Sequence, residues 1–279
     1  MATAIVSAPK INDTDANFRL WGKGFSDALL ACGLTKASDT GQIDWTTVTR
    51  PLTNVSQGYE IWRFSDALQA SAPVFIKIEY GGAATAANPN IWFTVGTGTN
   101  GSGTLTGQVG TRSSMGTANN ETAVGNIYVS CASNRMSFIF WPEFSNKSFM
   151  ASVERVRDSA GAETTDIYVV NAQNNNALQQ QVIPTTGAIV ARADCAVPKP
   201  SGSTMIYGAL VGTLPFFPQK GALLPPSVCL VGYMSADLTT VVAVTVTIFG
   251  VSRTYLPVGG TPIMTVTANG STTFMMRWE

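Results

Sequence analysis

Val74-Phe-Ile-Lys-Ile-Glu-Tyr80 alternates along its length: Ile76, Ile78 and Tyr80 face one way, Lys77 and Glu79 the other. Side chains of an extended chain point to opposite faces with a period of two, so the segment reads as a half-buried β-strand. From Pro73 onward this texture repeats. Ile91–Val95, Asn126–Cys131, Arg135–Trp141 and Phe149–Arg157 read as strands. Ser159-Ala-Gly161 turns into Thr165–Asn171, and Asn174-Asn-Asn176 turns into Leu178–Ile183. Later strands are expected at Met205–Gly212, Ser227–Tyr233, Ile263–Thr267 and Thr240–Tyr255, the last bent or bulged at Gly250. Ala268-Asn-Gly-Ser271 suits a type I′ turn, whose two central residues need positive φ, and returns the chain into Thr272–Trp278. About a dozen short strands punctuated by Gly, Asn and Pro predict a mainly β chain, an antiparallel β-sandwich or barrel-like domain.

The N-terminal segment has a different period. Phe18, Trp21, Phe25, Leu29 and Cys32 recur three and four residues apart, which is one face of an amphipathic α-helix over 13–33. Asp13-Thr-Asp15 offers short oxygen-bearing side chains to cap the first turn, and Gly33 suits a left-handed C-terminal cap. Gly22 and Gly24 each cost about 1 kcal/mol inside a helix, so a break near them is allowed for. Ser38-Asp-Thr-Gly-Gln42 reads as a turn, and Tyr59-Glu-Ile-Trp-Arg-Phe64 as a strand with Glu60, Trp62 and Phe64 on one face. Ser65–Ala70 is at most a short turn of helix; its echo of Ser26–Ala31 is ascribed to shared capping chemistry. The expected organisation is a helical and extended segment over 1–72 and an antiparallel β domain over 73–279, or one continuous domain.

The 279 residues carry 17 Lys+Arg against 17 Asp+Glu, a formal net charge of zero, and charged residues are 12% of the chain. Binding nucleic acid through phosphates needs a surplus of cations, which is lacking. Histidine is absent, which removes the commonest general base and zinc ligand. A neutral, sparsely charged surface promotes association, so much of it is expected to be covered by other subunits. The start has no basic segment followed by a long apolar run, and Val241–Gly250 is far short of the roughly 20 residues of a membrane-spanning helix. Synthesis in a cytoplasm and no membrane span are expected. Cys32, Cys131, Cys195 and Cys229 are too widely spaced for a C-x-x-C pair and read as buried free thiols.

The candidate motifs carry little chemistry. Gly96-Thr-Gly-Thr-Asn-Gly101 matches G-x-G-x-x-G after a strand, with Glu121 twenty residues beyond, but Ser102–Gly107 is a poor helix former. A dinucleotide site needs a helix there to point N–H groups at the pyrophosphate, so a tight loop is expected instead. The small, polar stretches 83–90 and 96–122 are expected to be exposed loops or arms that contact partners. Asp13/Asp15, Glu154/Asp158 and Asp237 are the carboxylates a glycan hydrolase could pair. Asp13 and Asp15 read more simply as caps, and Glu154–Asp158 as a solvated strand end with salt bridges. Trp21, Trp45, Trp62, Trp92, Trp141 and Trp278 read as core and interface residues, against a sugar-binding reading that needs exposed platforms. No catalytic residue, cofactor or metal ligand is assigned, and an enzyme is not expected. Phe18, Trp21, Phe25 and Leu29 of the helix, with Phe216 and Phe217 of a proline-punctuated apolar loop, are the candidate contacts between subunits.

Asp39-Thr-Gly-Gln-Ile-Asp-Trp45, Gly58-Tyr-Glu-Ile-Trp-Arg-Phe-Ser-Asp66, Pro73-Val-Phe-Ile-Lys-Ile-Glu-Tyr-Gly81, Trp92-Phe-Thr-Val-Gly-Thr-Gly98 and Ile248-Phe-Gly-Val-Ser-Arg-Thr-Tyr-Leu-Pro257 resemble stretches of virion structural proteins of tailed bacteriophages. The resemblance runs from about residue 13 to 258 and implies a structural component of the tail, neck or baseplate region. It further implies a homo-oligomer that binds other virion proteins, made in the bacterial host's cytoplasm and localised in the virion. The family supplies no catalytic residues. A receptor- or carbohydrate-binding tail fibre or spike, with a host-surface glycan as ligand, is the alternative expectation.

Overall fold

The alternation at Val74–Tyr80 becomes a strand, Phe75–Gly82, in which Ile76, Ile78 and Tyr80 are fully buried while Phe75, Lys77 and Glu79 are partly exposed. The computed structural model describes residues 2–8, 13–82, 89–114, 125–142, 149–157, 160–173, 176–183, 228–232, 244–248, 251–257 and 272–278. The chain divides into two compact units: residues 1–136 with 140–147, and 137–139 with 148–279. The strands on either side of residues 72 and 73 pair with each other, Arg63 standing opposite Phe75.

In the first unit the elements are β1 (Ala2–Ala8), α1 (Asp15–Ala31), β2 (Thr35–Lys36), β3 (Ser56–Arg63), β4 (Phe75–Gly82), β5 (Pro89–Gly96), β6 (Gly98–Thr99), β7 (Leu105–Thr106), β8 (Val109–Ser114), β9 (Gly125–Ala132) and both ends of β10 (Arg135–Pro142), whose residues 137–139 count with the second unit. One sheet runs in the order β2-β3-β4-β5-β8, its pairings antiparallel. A second group runs β1-β9-β10, with Val6 opposite Ile127, Ala4 opposite Val129 and Ala2 opposite Cys131. Opposite residues of an antiparallel pair share a face, so Ile127, Val129 and Cys131, all fully buried, mark the inner face. The helix packs on β1 and β9.

The helix is unbroken from Asp15 to Ala31. The Thr14 side chain accepts from Asn17 N–H, and Asp15 supplies a negative charge in the first turn. Its far end closes as a Schellman motif: Gly33 N–H donates to Leu30 C=O, Leu34 N–H to Leu29 C=O, and Gly33 sits at φ 102°. Gly22 does not break the helix but makes room beside it. A Cβ there would lie 2.1 Å from the Trp45 ring, and one at Gly24 2.7 Å from the Val6 side chain. The loop after β2 is fastened to the helix start, where Arg19 donates to Val48 C=O and Asp15 accepts from Arg50 N–H.

Two sequence expectations need correction in this unit. Residues 96–114 are not a free arm: β6 and β7 pair as a hairpin and β8 pairs with β5. Residues 115–122, and 83–88 of the earlier stretch, lie outside the described residues. The echo between Ser26–Ala31 and Ser65–Ala70 is not shared capping either. Ser26 and Asp27 lie inside α1, and Asp66 makes no side-chain cap bond to the 3-10 turn at Ala67–Ala70.

The second unit contains β11 (Phe149–Arg157), β12 (Glu163–Gln173), β13 (Asn176–Ile183), β14 (Val228–Gly232), β15 (Val244–Ile248), β16 (Val251–Pro257) and β17 (Thr272–Arg277). Strands β11-β12-β13 run in order, antiparallel, and the other four form an antiparallel sheet in the order β14-β17-β16-β15. Thr240–Tyr255 is not one bent strand: Ile248 stands opposite Val251, so β15 and β16 fold back on each other as a hairpin. Glu154 and Arg155 are buried rather than solvated, since β11 is covered on both faces over 150–156. The strands expected at Met205–Gly212 and Ile263–Thr267 and the turn at Ala268–Ser271 lie outside the described residues. The chain is mainly β, with antiparallel sheets and an N-terminal helix, as expected.

Candidate functional site

The densest polar arrangement in the first unit surrounds Glu60, which is 0% exposed. Strand β3 sets Glu60 opposite Ile78 and Gly58 opposite Tyr80, so its carboxylate enters the face lined by Ile76, Ile78 and Tyr80. Oε1 accepts from Ser26 Oγ at 2.8 Å, Lys36 Nζ at 2.7 Å and Trp45 Nε1 at 3.1 Å, and Oε2 accepts from Tyr80 OH at 2.7 Å. The four donors come from α1, β2, the loop after β2, and β4. A charge taken out of water is tolerated when it is paired and hydrogen-bonded, and both conditions hold here, with three donors on Oε1 and one on Oε2. Lys36 supplies the counter-charge while its side chain stays 35% exposed.

Around the carboxylate the aromatics pack edge to face. Trp45 meets Tyr80 at 4.8 Å and 84°, and Trp21 lies 5.9 Å from Tyr80 and 5.7 Å from Phe140. Burial, then the neighbouring Glu60 charge, pushes the Tyr80 phenol well above its ordinary value, so it stays a donor. With no exposure and four donors on its two oxygens, Glu60 ties α1, β2, the loop after β2 and β4 to one another. Sequence reasoning left Glu60 unassigned, although the signal was present: it is the lone charged residue on the face it shares with Trp62 and Phe64.

A second centre is Asp39. Its Oδ2 accepts from Gly103 N–H at 3.0 Å and from the Thr99 hydroxyl. Thr40 N–H donates to Gly101 C=O, and Tyr59 OH to Thr40 C=O. This network decides the G-x-G-x-x-G reading. The N–H groups a phosphate would need are already used: that of Gly101 by Thr99 Oγ1, those of Ser102 and Thr104 by Asn100 Oδ1, and that of Gly103 by Asp39. The stretch leads into β7 and not into a helix, so the tight-loop reading holds. Glu121 lies outside the described residues.

The carboxylates considered for hydrolysis do not assemble into a dyad among the described residues. Asp13 accepts from Asn17 Nδ2, and Asp15 from Arg50 N–H, so both organise the helix start. Glu154 is buried in the second unit, while Asp158 and Asp237 lie outside the described residues. Trp21, Trp45, Trp62 and Trp92 are interior and form no sugar platform. The outer face of the first sheet instead carries Arg112, which donates from Nε and Nη2 to the two Glu79 oxygens and lies 4.2 Å from the Trp92 ring centre, and Lys77, 4.7 Å from that of Tyr59.

The helix residues expected at a subunit interface are corrected by their burial. Phe18, Trp21, Phe25 and Leu29 are each 0% exposed and fill the chain's own core, because the sheet supplies the apolar surface that face needs. Phe216 and Phe217 lie outside the described residues. Among the described residues, the large apolar side chains that do stand out are Ile5, Leu20, Leu30, Leu52 and Val55, between 46% and 64% exposed. Leu20 and Leu30 lie on the outer side of α1, and Ile5 on the side of β1 away from Ala4 and Val6. Cys32 and Cys131 are both buried free thiols, as expected of them. No family model, curated protein or solved structure matches the chain.

Proposed function

We propose that this chain is a non-enzymatic structural subunit of a bacteriophage particle, assembling as a homo-oligomer in the tail, neck or baseplate region. The observation that carries the reading is the surface: zero net charge, 12% charged residues, and exposed Ile5, Leu20, Leu30, Leu52 and Val55. Such a surface is poorly protected from association unless neighbours cover it. The polar centres at Glu60 and Asp39 agree with this, since each spends its hydrogen bonds on holding the chain's own elements together. The subunit contacts are moved to the outer side of α1, at Leu20 and Leu30, and to the exposed side of β1.

Mass spectrometry of purified virions, with light scattering on the isolated chain, tests the reading. Peptides from this chain at structural copy number, with a multimer in solution or on the particle, are expected. A chain absent from particles and monomeric at high concentration would overturn it. Particle-bound chain that captures host glycans on an array would point instead to the receptor-binding alternative.

A further inference from the structure

We propose that the outer stripe of α1 is a contact between two copies of this chain. In it, α1 of one copy lies antiparallel against α1 of the other about a two-fold axis, with Leu20 on the partner's Leu30 and Lys23 on the partner's Asp27. The proposal rests on the homo-oligomer reading above and names the surface that carries it.

The helix has two distinct faces. Phe18, Trp21, Phe25 and Leu29 fill the chain's own core, while Ala16, Leu20, Lys23, Asp27 and Leu30 are exposed. The exposed five are four, three, four and three residues apart, the spacing of a seam along which one helix packs on another. Leu20 is 56% and Leu30 58% exposed, and the Lys23 and Asp27 side chains are 57% and 60% exposed. A helix whose outer face met only water would carry polar residues along it, and two leucines stand there instead.

The stripe is self-complementary when reversed. Leu20 and Leu30 lie five residues either side of position 25; Lys23 and Asp27 lie two residues either side of it, with opposite charges. A two-fold axis at the height of residue 25 therefore sets leucine on leucine and ammonium on carboxylate in both halves of the contact at once. Within one copy Lys23 Nζ already donates to Asp27 Oδ2 at 2.5 Å, which holds both charges along the stripe. Across the axis the four charges then alternate in sign. A parallel pair is disfavoured by the same residues, because it stacks Lys23 on Lys23 and Asp27 on Asp27 and aligns the two helix dipoles. Exposed ion pairs add little strength, so the leucines supply the attraction and the charges its direction.

The first test reads orientation. Full-length Leu20→Cys and Leu30→Cys chains are mixed, oxidised with copper phenanthroline, digested without reduction and read by mass spectrometry. In the antiparallel pair, position 20 lies beside position 30 of the partner and about 15 Å along the axis from position 20, beyond a disulfide's reach. A link between positions 20 and 30 is expected in the mixture, and none between two positions 20 in Leu20→Cys alone. The second test reads strength by sedimentation equilibrium up to about 1 mM, since a contact of a few helical turns is smaller than a standard interface. The dimerisation constant should fall about fivefold or more in Lys23→Glu and in Asp27→Lys, each of which sets like charges face to face. It should recover when the two variants are mixed, and in the Lys23→Glu/Asp27→Lys double variant. All should melt within about 3 °C of the unaltered chain, the positions being exposed. A link between two positions 20, or single variants that associate as tightly as the unaltered chain, would overturn the helix pair and leave the homo-oligomer reading standing. A chain monomeric throughout that range would also overturn the pair, and its copy number in purified virions then decides the particle reading separately.

Discussion

Glu60 shows how one side chain can tie several elements together. Ser26, Lys36, Trp45 and Tyr80 all donate to it, so its loss leaves a buried indole N–H and two hydroxyls without their acceptor, and the partly exposed Lys36 ammonium without its counter-charge. Glu60→Ala is expected to destabilise the chain by about 3–5 kcal/mol, measured as a lowered urea midpoint. Lys36→Met should cost less, because the ammonium is partly in water and three neutral donors remain on the carboxylate. Equal losses for the two variants would show that Lys36 alone carries the centre. Tyr80 supplies a pH test. Its folded-state value lies well above the ordinary 10.0, with burial as the larger cause. A raised value contributes stability below pH 10 that is lost as pH climbs above it. Tyrosinate absorbance should therefore rise late, together with unfolding; early ionisation in a folded chain would contradict the burial. The alternation at residues 59–64 already put Glu60 on an apolar face. The identity of its donors was not legible, because they arrive from positions up to 34 residues away.

At the scale of elements, two glycines of one loop separate two costs. Gly101 and Gly103 both adopt positive φ, at 80° and 92°. A Cβ at Gly101 meets nothing within 4 Å, whereas one at Gly103 would lie 2.3 Å from the Tyr59 ring. Gly101→Ala is expected to cost about 1 kcal/mol from backbone strain, and Gly103→Ala clearly more, read from thermal unfolding. Indistinguishable values would show that Tyr59 yields freely. In α1 the sign of a familiar substitution reverses. Alanine normally gains about 1 kcal/mol over glycine inside a helix, yet Gly22→Ala should destabilise, because its methyl group would occupy the space of the Trp45 ring. A higher melting temperature for that variant would refute the packing account. The periods of two and 3.6 located α1, β4, β5 and β9–β13 well. They failed where a strand's partner decides its ends: the β15–β16 hairpin reads in sequence as one apolar run.

For the whole molecule, the two units each bury a tyrosine whose phenol is pushed well above its ordinary value. These are Tyr80 in the first and Tyr168 in the second, burial being the larger cause in both. Both units should therefore lose stability above pH 10, and a unit that stayed folded through that range would show its tyrosine to be accessible. Association belongs to the same scale. Leu20→Glu with Leu30→Lys changes exposed positions of α1, so stability should move by no more than about 0.5 kcal/mol while the proposed multimer weakens in light scattering. An unchanged multimer would move the interface away from the helix.

Sequence by itself determined what depends on neighbours along the chain. Those features are the mainly β texture, the N-terminal helix with its Schellman glycine, and the sparsely charged composition that argues for covered surfaces. Each is a periodic or summed property, expressed over a few adjacent residues or over all of them. Tertiary structure alone decided that Phe18, Trp21, Phe25 and Leu29 face the chain's own sheet. It likewise decided that Glu60 gathers four donors and that the glycine loop spends its N–H groups on Asp39, Thr99 and Asn100. Those outcomes depend on which elements become neighbours in space, and a pairing between distant segments leaves no periodic mark on either one.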